Sequence, residues 1–513
     1  MPDTATVDVR TATEIPPAST GLMWAARGTV TIVGLSALSV SAVAALVTVH
    51  ANTSFALVLV AALVLALAIA GIEARGYRTF SFNLFLWGFI ARVLFVTLCS
   101  FAATREGGPF LGPDATGYFN GSIELAARAF HLPDPAVVFF GSYDVGQYYL
   151  FAVMIRYAHT DLFGLQVMNC AFTALAAPLA FAIARDVVPR WAAAVGVGVA
   201  LSPSLIGLST IDLLKDPSIV FGMLALIWLL LQLRGTRFLM PASVFAAVAG
   251  CVALYLRTSR FYVFTYIEAG FVVAVLAMFR ASARAFVRPQ ALALSVLVFG
   301  VAEFVPTRAL WPTSPVMFLA MTTHTLNTAG MRWSSPGFLQ RRIPGLTRLR
   351  LTRLPQEGNE PRGHSFVMLC VDMTRRVFAP FPWIVPRTWT FAALQEGQYY
   401  LFPGTLVWYA LLPFVALGFA TLAVAIVRGT EQRFAVIFLC SFAALYFAQY
   451  LLINLSFRQR EAGMPILLMF AAEGIDRYAP DWRHPPRWYG RYWVAIVVVA
   501  VLHLIVRAIL HLS

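Results

Sequence analysis

Apolar runs recur along the chain at 28–49, 54–72, 83–104, 161–184, 191–209, 217–233, 238–256, 261–279, 290–306, 403–427, 434–455, 462–475 and 492–511, separated by polar, arginine-bearing turns. As a helix, a run of about 20 such residues crosses roughly 30 Å of hydrocarbon. The pattern predicts about thirteen transmembrane helices, the run at 462–475 being short for a span. Two long polar stretches interrupt them, 105–160 and 307–402. The first run is too long for a signal h-region and lacks a cleavage site, so it reads as a retained helix. Residues 1–22 carry little apolar content and read as disordered.

Composition agrees with the pattern. The chain has 513 residues, 59% of them hydrophobic and only 12% charged, with a mean hydropathy of +0.75, against about 25% charged residues in soluble domains. This is an all-α, multi-pass integral membrane protein. The formal charge of +14 does not point to nucleic acid, because no basic domain with interleaved aromatics stands free of the membrane. Arginines instead orient the spans. With the N-terminus cytoplasmic, the inner turns hold 17 basic residues and the outer turns seven, leaving aside the eleven arginines of 307–402, since long loops are largely exempt from the positive-inside rule. The five cysteines form no CxxC pair, so neither a disulfide framework nor a zinc site is expected.

This orientation places the chemistry-bearing residues on one non-cytoplasmic face. The first long stretch contains "GPDATGYFNGSIELAARAF", in which Pro113-Asp114 opens a segment whose Ile123, Leu125, Ala126, Ala129 and Phe130 make an apolar helical face. Asp114 is either the N-cap of that helix or a carboxylate able to take a proton from an acceptor hydroxyl. Lys215 is the only lysine beside 37 arginines. It lies in Lys215-Asp216-Pro217, where Asp216 suits an N-cap and Pro217 a first helical turn. The lysine is either a snorkelling cation or a phosphate ligand beside helix N–H groups. Arg257 and Arg260 flank one outer turn and Arg458 and Arg460 another, fitting headgroup contacts or anion ligands. Arg332, Arg341, Arg342, Arg348, Arg350 and Arg353 make the 307–402 stretch basic, able to close over an anionic lipid or to lie on headgroups. Arg92 and Arg156 fall where a charge needs a partner or a wet cavity. The stretch "FAPFPWIVPRTW" cannot be a regular helix. No P-loop, HExxH, GxSxG or dinucleotide fingerprint occurs, and no inverted repeat of broken helices is visible.

The layout resembles the GT-C class of membrane glycosyltransferases, in particular the dolichyl-phosphate-mannose–protein mannosyltransferase and aminoarabinose transferase group. Asp114-Ala115-Thr116-Gly117-Tyr118 is similar to that group's Asp-Glu-x-x-Tyr motif, with alanine in place of the second acid. "SPSLIGLSTIDLLKDPSIVF" and "FRQREAGMPILLMFAAEGI" resemble segments of its bacterial members. The likeness runs from about residue 83 to 475 and implies Asp114 as catalytic base. It further implies Tyr118, Lys215, Asp216, Arg257, Arg260, Arg458 and Arg460 as ligands of a polyprenyl-phosphate sugar. The missing second acid leaves a divalent cation optional, with Glu124 and Asp144 as substitutes.

The expected organisation is a cytoplasmic tail at 1–27, an added N-terminal hairpin at 28–82 and a GT-C-like core at 83–306 containing the outer loop 105–160. An outer basic loop at 307–402 and C-terminal helices at 403–513 follow. The expected protein is an inverting glycosyltransferase of a bacterial inner membrane, its site facing the periplasm, acting on a glycan, lipid or protein acceptor. The alternatives are a polymerase or ligase using diphosphate-linked oligosaccharides, and a lipid-linked-sugar transporter.

Overall fold

The computed structural model describes residues 53–105, 112–131, 145–236, 238–280, 288–309, 377–378, 381, 383, 399–431, 433–452, 458–481 and 484–509. The run at 28–49, most of 307–402 with its arginines, and most of "FAPFPWIVPRTW" lie outside these residues. Among the described residues every regular element is helical. Nine helices there are long and apolar enough to cross a membrane, which makes the chain an all-α membrane protein. The described parts of the expected segments at 290–306, 434–455 and 462–475 are helical too, save a turn at Gly463.

The helices are α1 (Thr53–Ile72), α2 (Arg78–Arg105), α3 (Pro113–Ala127), α4 (Val145–Ala158), α5 (Leu162–Val187), α6 (Ala192–Ala200), α7 (Pro203–Thr210), α8 (Asp216–Gly235), α9 (Leu239–Ser259), α10 (Phe261–Arg280) and α11 (Pro289–Ala309). After a 3-10 turn at Tyr399–Leu401 come α12 (Phe402–Val427), α13 (Phe434–Leu452), α14 (Arg458–Ala462), α15 (Met464–Tyr478) and α16 (Arg487–Ile509).

Helix α5 is the axis of the bundle. It is apolar all round, which suits a helix buried on every side, and it packs against α1, α2, α6 and α8. Asp161 caps it, accepting from Gly164 N at 2.8 Å. At the periphery, Val60, Val64, Leu98, Val244, Leu276, Val296 and Leu502 stay exposed, the belt expected of a surface that meets acyl chains. Helix α1 packs on α2 and α5, so the second helix of the expected N-terminal hairpin is part of the main bundle.

One span is broken. Helix α6 ends at Ala200, and Ser202 caps α7 by accepting from Leu205 N, with Pro203 as the first helical residue. A proline there removes the N–H that a continuous helix would need, so the last carbonyls of α6 are short of donors, Val199 O keeping only a 3.5 Å bond from Ser202 N. Arg92, fully buried on α2, supplies them. It donates to Ala200 O at 2.6 Å, Val199 O at 3.3 Å, Gly88 O at 2.8 Å and Thr173 Oγ1 at 2.8 Å. Its cost in mid-membrane is met by five-donor guanidinium geometry matched to a helix end. Arg156 is met likewise: it donates to Ala126 O at 2.6 Å and lies over the Phe130 ring.

Charges divide between the two ends of α5. Near its start, Asn169 Nδ2 donates to Leu214 O at 2.8 Å, anchoring the turn that carries Lys215. At its far end, Arg185 pairs with Glu73 and Arg433 donates to Val187 O at 3.0 Å, while Arg190 meets Asp476 nearby at 2.8 Å.

Candidate functional site

The site grows from the five-residue connection between α7 and α8. Asn169 holds its backbone at Leu214, and the Asp212 carboxylate folds back to accept from Leu213 N at 3.0 Å. The same oxygen accepts from Gly112 N at 3.3 Å, which joins this turn to the start of α3. Glycine fits the close approach there, because a Cβ on residue 112 would stand 2.7 Å from Asp212 Oδ2 and one of the two would have to shift. Burial pushes the Asp212 carboxyl up to about 6, while the two N–H bonds and Arg458 pull the other way and Asp114 adds an upward push.

Gly112 is the N-cap of α3, Pro113 its first residue and Asp114 its second. The carboxylate of Asp114 makes no capping bond. It projects across to α14 and meets Arg458 Nη2 at 2.6 Å, so the cap reading of this residue does not hold. Arg458 is the hinge of the cluster. Burial lowers its pKa, and Asp216, the bond to Asp114 and Tyr400 more than offset that, leaving it raised.

At the start of α8 the helix begins one residue earlier than the sequence implied. Lys215 is the N-cap, with no side-chain capping bond, and Asp216 is the first residue. The buried Asp216 carboxylate accepts from its own backbone N–H and pairs with Arg260 at 3.1 Å, because a charge removed from water takes the nearest counter-charge. Arg260 also donates to Tyr262 OH at 2.6 Å. The Lys215 ammonium lies 5.8 Å from the Tyr118 ring centroid, in cation–π range, and Tyr118 packs on Tyr148 with centroids 5.5 Å apart.

Of the expected residues, the fold therefore brings together Asp114, Tyr118, Lys215, Asp216, Arg260 and Arg458. Two others are engaged elsewhere. Arg257 pairs with Glu303 of α11 at 3.1 Å. Arg460 is buried, bound to Glu461 at 2.5 Å and to Val377 O at 3.0 Å, and stacked over Trp408. Residues two apart on a helix point about 200° from one another, which separates Arg460 from Arg458. Glu124, considered as a substitute acid, pairs with Arg128 at 2.6 Å further along α3; Asp144 lies outside the described residues. No three His, Cys, Asp or Glu side chains converge as a cation site among the described residues. The Asp114, Asp216 and Asp212 carboxylates face Arg458, Arg260 and backbone N–H groups respectively.

Sequence reading missed four participants. Asp212 stands three residues from Lys215. Gln147 of α4, wholly buried, accepts from Ser218 Oγ at 2.7 Å and Tyr255 OH at 2.6 Å, and Ser218 Oγ also reaches Lys215 O at 2.7 Å. The one available signal was an isolated amide in the apolar helix "VGQYYLFAVM".

Compared with models of known families and with curated proteins, the chain matches none.

Proposed function

We propose that the protein is a membrane glycosyltransferase that moves a sugar from a polyprenyl-phosphate donor to an acceptor hydroxyl at this end of the bundle. The observation that carries the reading is the Asp114–Arg458 pair beside Lys215, one carboxylate and two cations on three different elements at one helix-bundle end. The likeness of the Asp114 and Lys215 segments to GT-C transferases adds to it.

In this reading the acceptor oxygen attacks the anomeric carbon from the face opposite the phosphate. A new carbon–oxygen bond forms as the bond from that carbon to the phosphate oxygen breaks. The electron pair leaves with the lipid phosphate, whose growing charge Lys215 and Arg458 stabilise. Asp114 takes the hydroxyl proton, and the configuration at the sugar inverts. Asp216 and Arg260 hold the start of α8, and with it Lys215, in register. The lipid tail stays in the bilayer, and in a bacterial inner membrane the site faces the periplasm, toward a glycan, lipid or protein acceptor.

Transfer from radiolabelled polyprenyl-phosphate sugars in membranes tests this. Loss of transfer in both Asp114→Asn and Lys215→Ala, at wild-type protein levels, supports a base and a phosphate ligand. Full transfer in Asp114→Asn removes the base assignment. Transfer from diphosphate-linked oligosaccharides alone makes the protein a polymerase or ligase.

A further inference from the structure

Resting on that reading, we infer that Arg458 changes partners during the reaction: it holds the Asp114 carboxylate in the unliganded protein and the donor phosphate in the complex, so that an anionic donor must bind before the base is free.

The argument starts from the pair itself. A carboxylate held at 2.6 Å by a guanidinium has one of its two oxygens engaged in a charge-assisted bond, and that oxygen takes a proton from an acceptor only once the bond is broken. The contact that positions Asp114 also masks it.

The other two cations are less able to move. Arg260 is bound to Asp216, whose side chain is 3% exposed, and leaving would strand a buried charge. Lys215 sits on a turn pinned by Asn169 and by the two N–H bonds of Asp212. Arg458 differs on its two sides. Inward it feels Asp216 and Tyr400, which keep the guanidinium in the cluster. Outward it meets Asp114, whose side chain is 55% exposed. A carboxylate that wet loses little on release, since water replaces the bond. A phosphate entering beside Lys215 offers Arg458 a stronger acceptor without moving its anchored side.

Linkage gives the test. If Asp114 and the phosphate compete for one guanidinium, removing the carboxylate charge must tighten phosphate binding, and only while Arg458 is present. Farnesyl phosphate is titrated into the detergent-solubilised full chain as wild type, Asp114→Asn, Arg458→Gln and the double variant, with thermal midpoints confirming folding. Arg458→Lys serves as a second, charge-retaining variant. The exchange predicts about tenfold tighter binding in Asp114→Asn, weaker binding in Arg458→Gln, and no further gain when Asp114→Asn is added to Arg458→Gln. An equal gain in both backgrounds would mean a general field effect and overturn the exchange, as would no gain in the wild-type background. Binding by none of the folded forms would overturn the donor reading and the exchange with it.

Discussion

Asp212 and Gly112 are joined by a hydrogen bond across 100 residues of sequence, and this bond fastens the helix that presents Asp114 to the turn that presents Lys215. Neither residue resembles a catalytic group. Their contact nevertheless fixes the separation between the proposed base and the proposed phosphate ligand, because Asp114 lies two residues beyond Gly112 and Lys215 three beyond Asp212. The placement of a reacting group to within an ångström is worth orders of magnitude in rate, so such fastenings matter as much as the groups they hold.

The buried state of Asp212 makes stability depend on pH in an unusual direction. Its carboxyl lies at about 6 in the folded protein against an ordinary 3.8. Between those values the unfolded chain has released its proton while the folded chain retains it. Stability from this group is therefore full below pH 4, falls as pH rises to about 6, and is level above that. Asp212→Asn keeps an acceptor for Gly112 and loses the titration. Its unfolding free energy, followed from pH 4 to 8 in detergent, should exceed that of wild type at pH 8 by up to about 3 kcal/mol and meet it near pH 4. A constant gap across that range would show that Asp212 does not titrate there.

Gly112→Ala probes the same fastening from the other side. The added methyl meets Asp212 Oδ2 at 2.7 Å, closer than any ordinary contact, so either the carboxylate or the start of α3 must shift. Overpacking of this kind costs about 1–3 kcal/mol. Transfer at saturating donor should fall about tenfold or more through misplacement of Asp114, while farnesyl phosphate affinity changes little. Unchanged turnover would mean that the α3 start is not what positions the base.

The fold was legible in the sequence wherever one physical rule decides the outcome. Apolar runs of membrane-crossing length located α1, α2, α5 and α8, since hydrocarbon tolerates little else than a helix there. The grouping of Lys215, Arg260 and Arg458 followed from alternation of spans. Partner choice was not legible. Whether Asp114 caps its helix or crosses to Arg458, and whether Arg257 faces α8 or Glu303, depends on a few degrees of helix rotation that periodicity does not record. The broken span at Ser202 was also hidden, because "VGVALSPSLIGL" stays apolar through the break. Only Arg92, too polar for its surroundings, pointed to exposed carbonyls nearby.

That arginine offers a sharp test of the break. Arg92→Met fills similar volume and removes the charge, but it leaves Ala200 O without its Arg92 donor and Val199 O with only the 3.5 Å bond from Ser202 N. Unpaired buried carbonyls cost about 1–3 kcal/mol each. The variant should lose most of its folded yield in detergent. Arg92→Lys should rescue only in part, since one ammonium cannot span Thr173, Gly88 and the α6 end together. A fully stable Arg92→Met would indicate that water or a backbone shift satisfies the break.

The two arginines that flank the α9 end should separate cleanly. Arg257 and Glu303 are both partly exposed, at 21% and 36%, and such a pair contributes about 1 kcal/mol or less. Arg260→Ala strands Asp216, whose carboxylate is buried at the first residue of α8, and breaking a buried pair from one side costs about 3–5 kcal/mol. Arg257→Ala should therefore keep both its thermal midpoint and sugar transfer close to wild type, while Arg260→Ala loses both. The double change Asp216→Asn with Arg260→Gln decides why. With both members of the pair neutralised, stability should return apart from what Arg458 loses with Asp216, and any transfer that returns with it identifies Arg260 as a support for α8. Transfer that stays lost in a stable double variant would instead make Arg260 or Asp216 a direct participant in binding the donor.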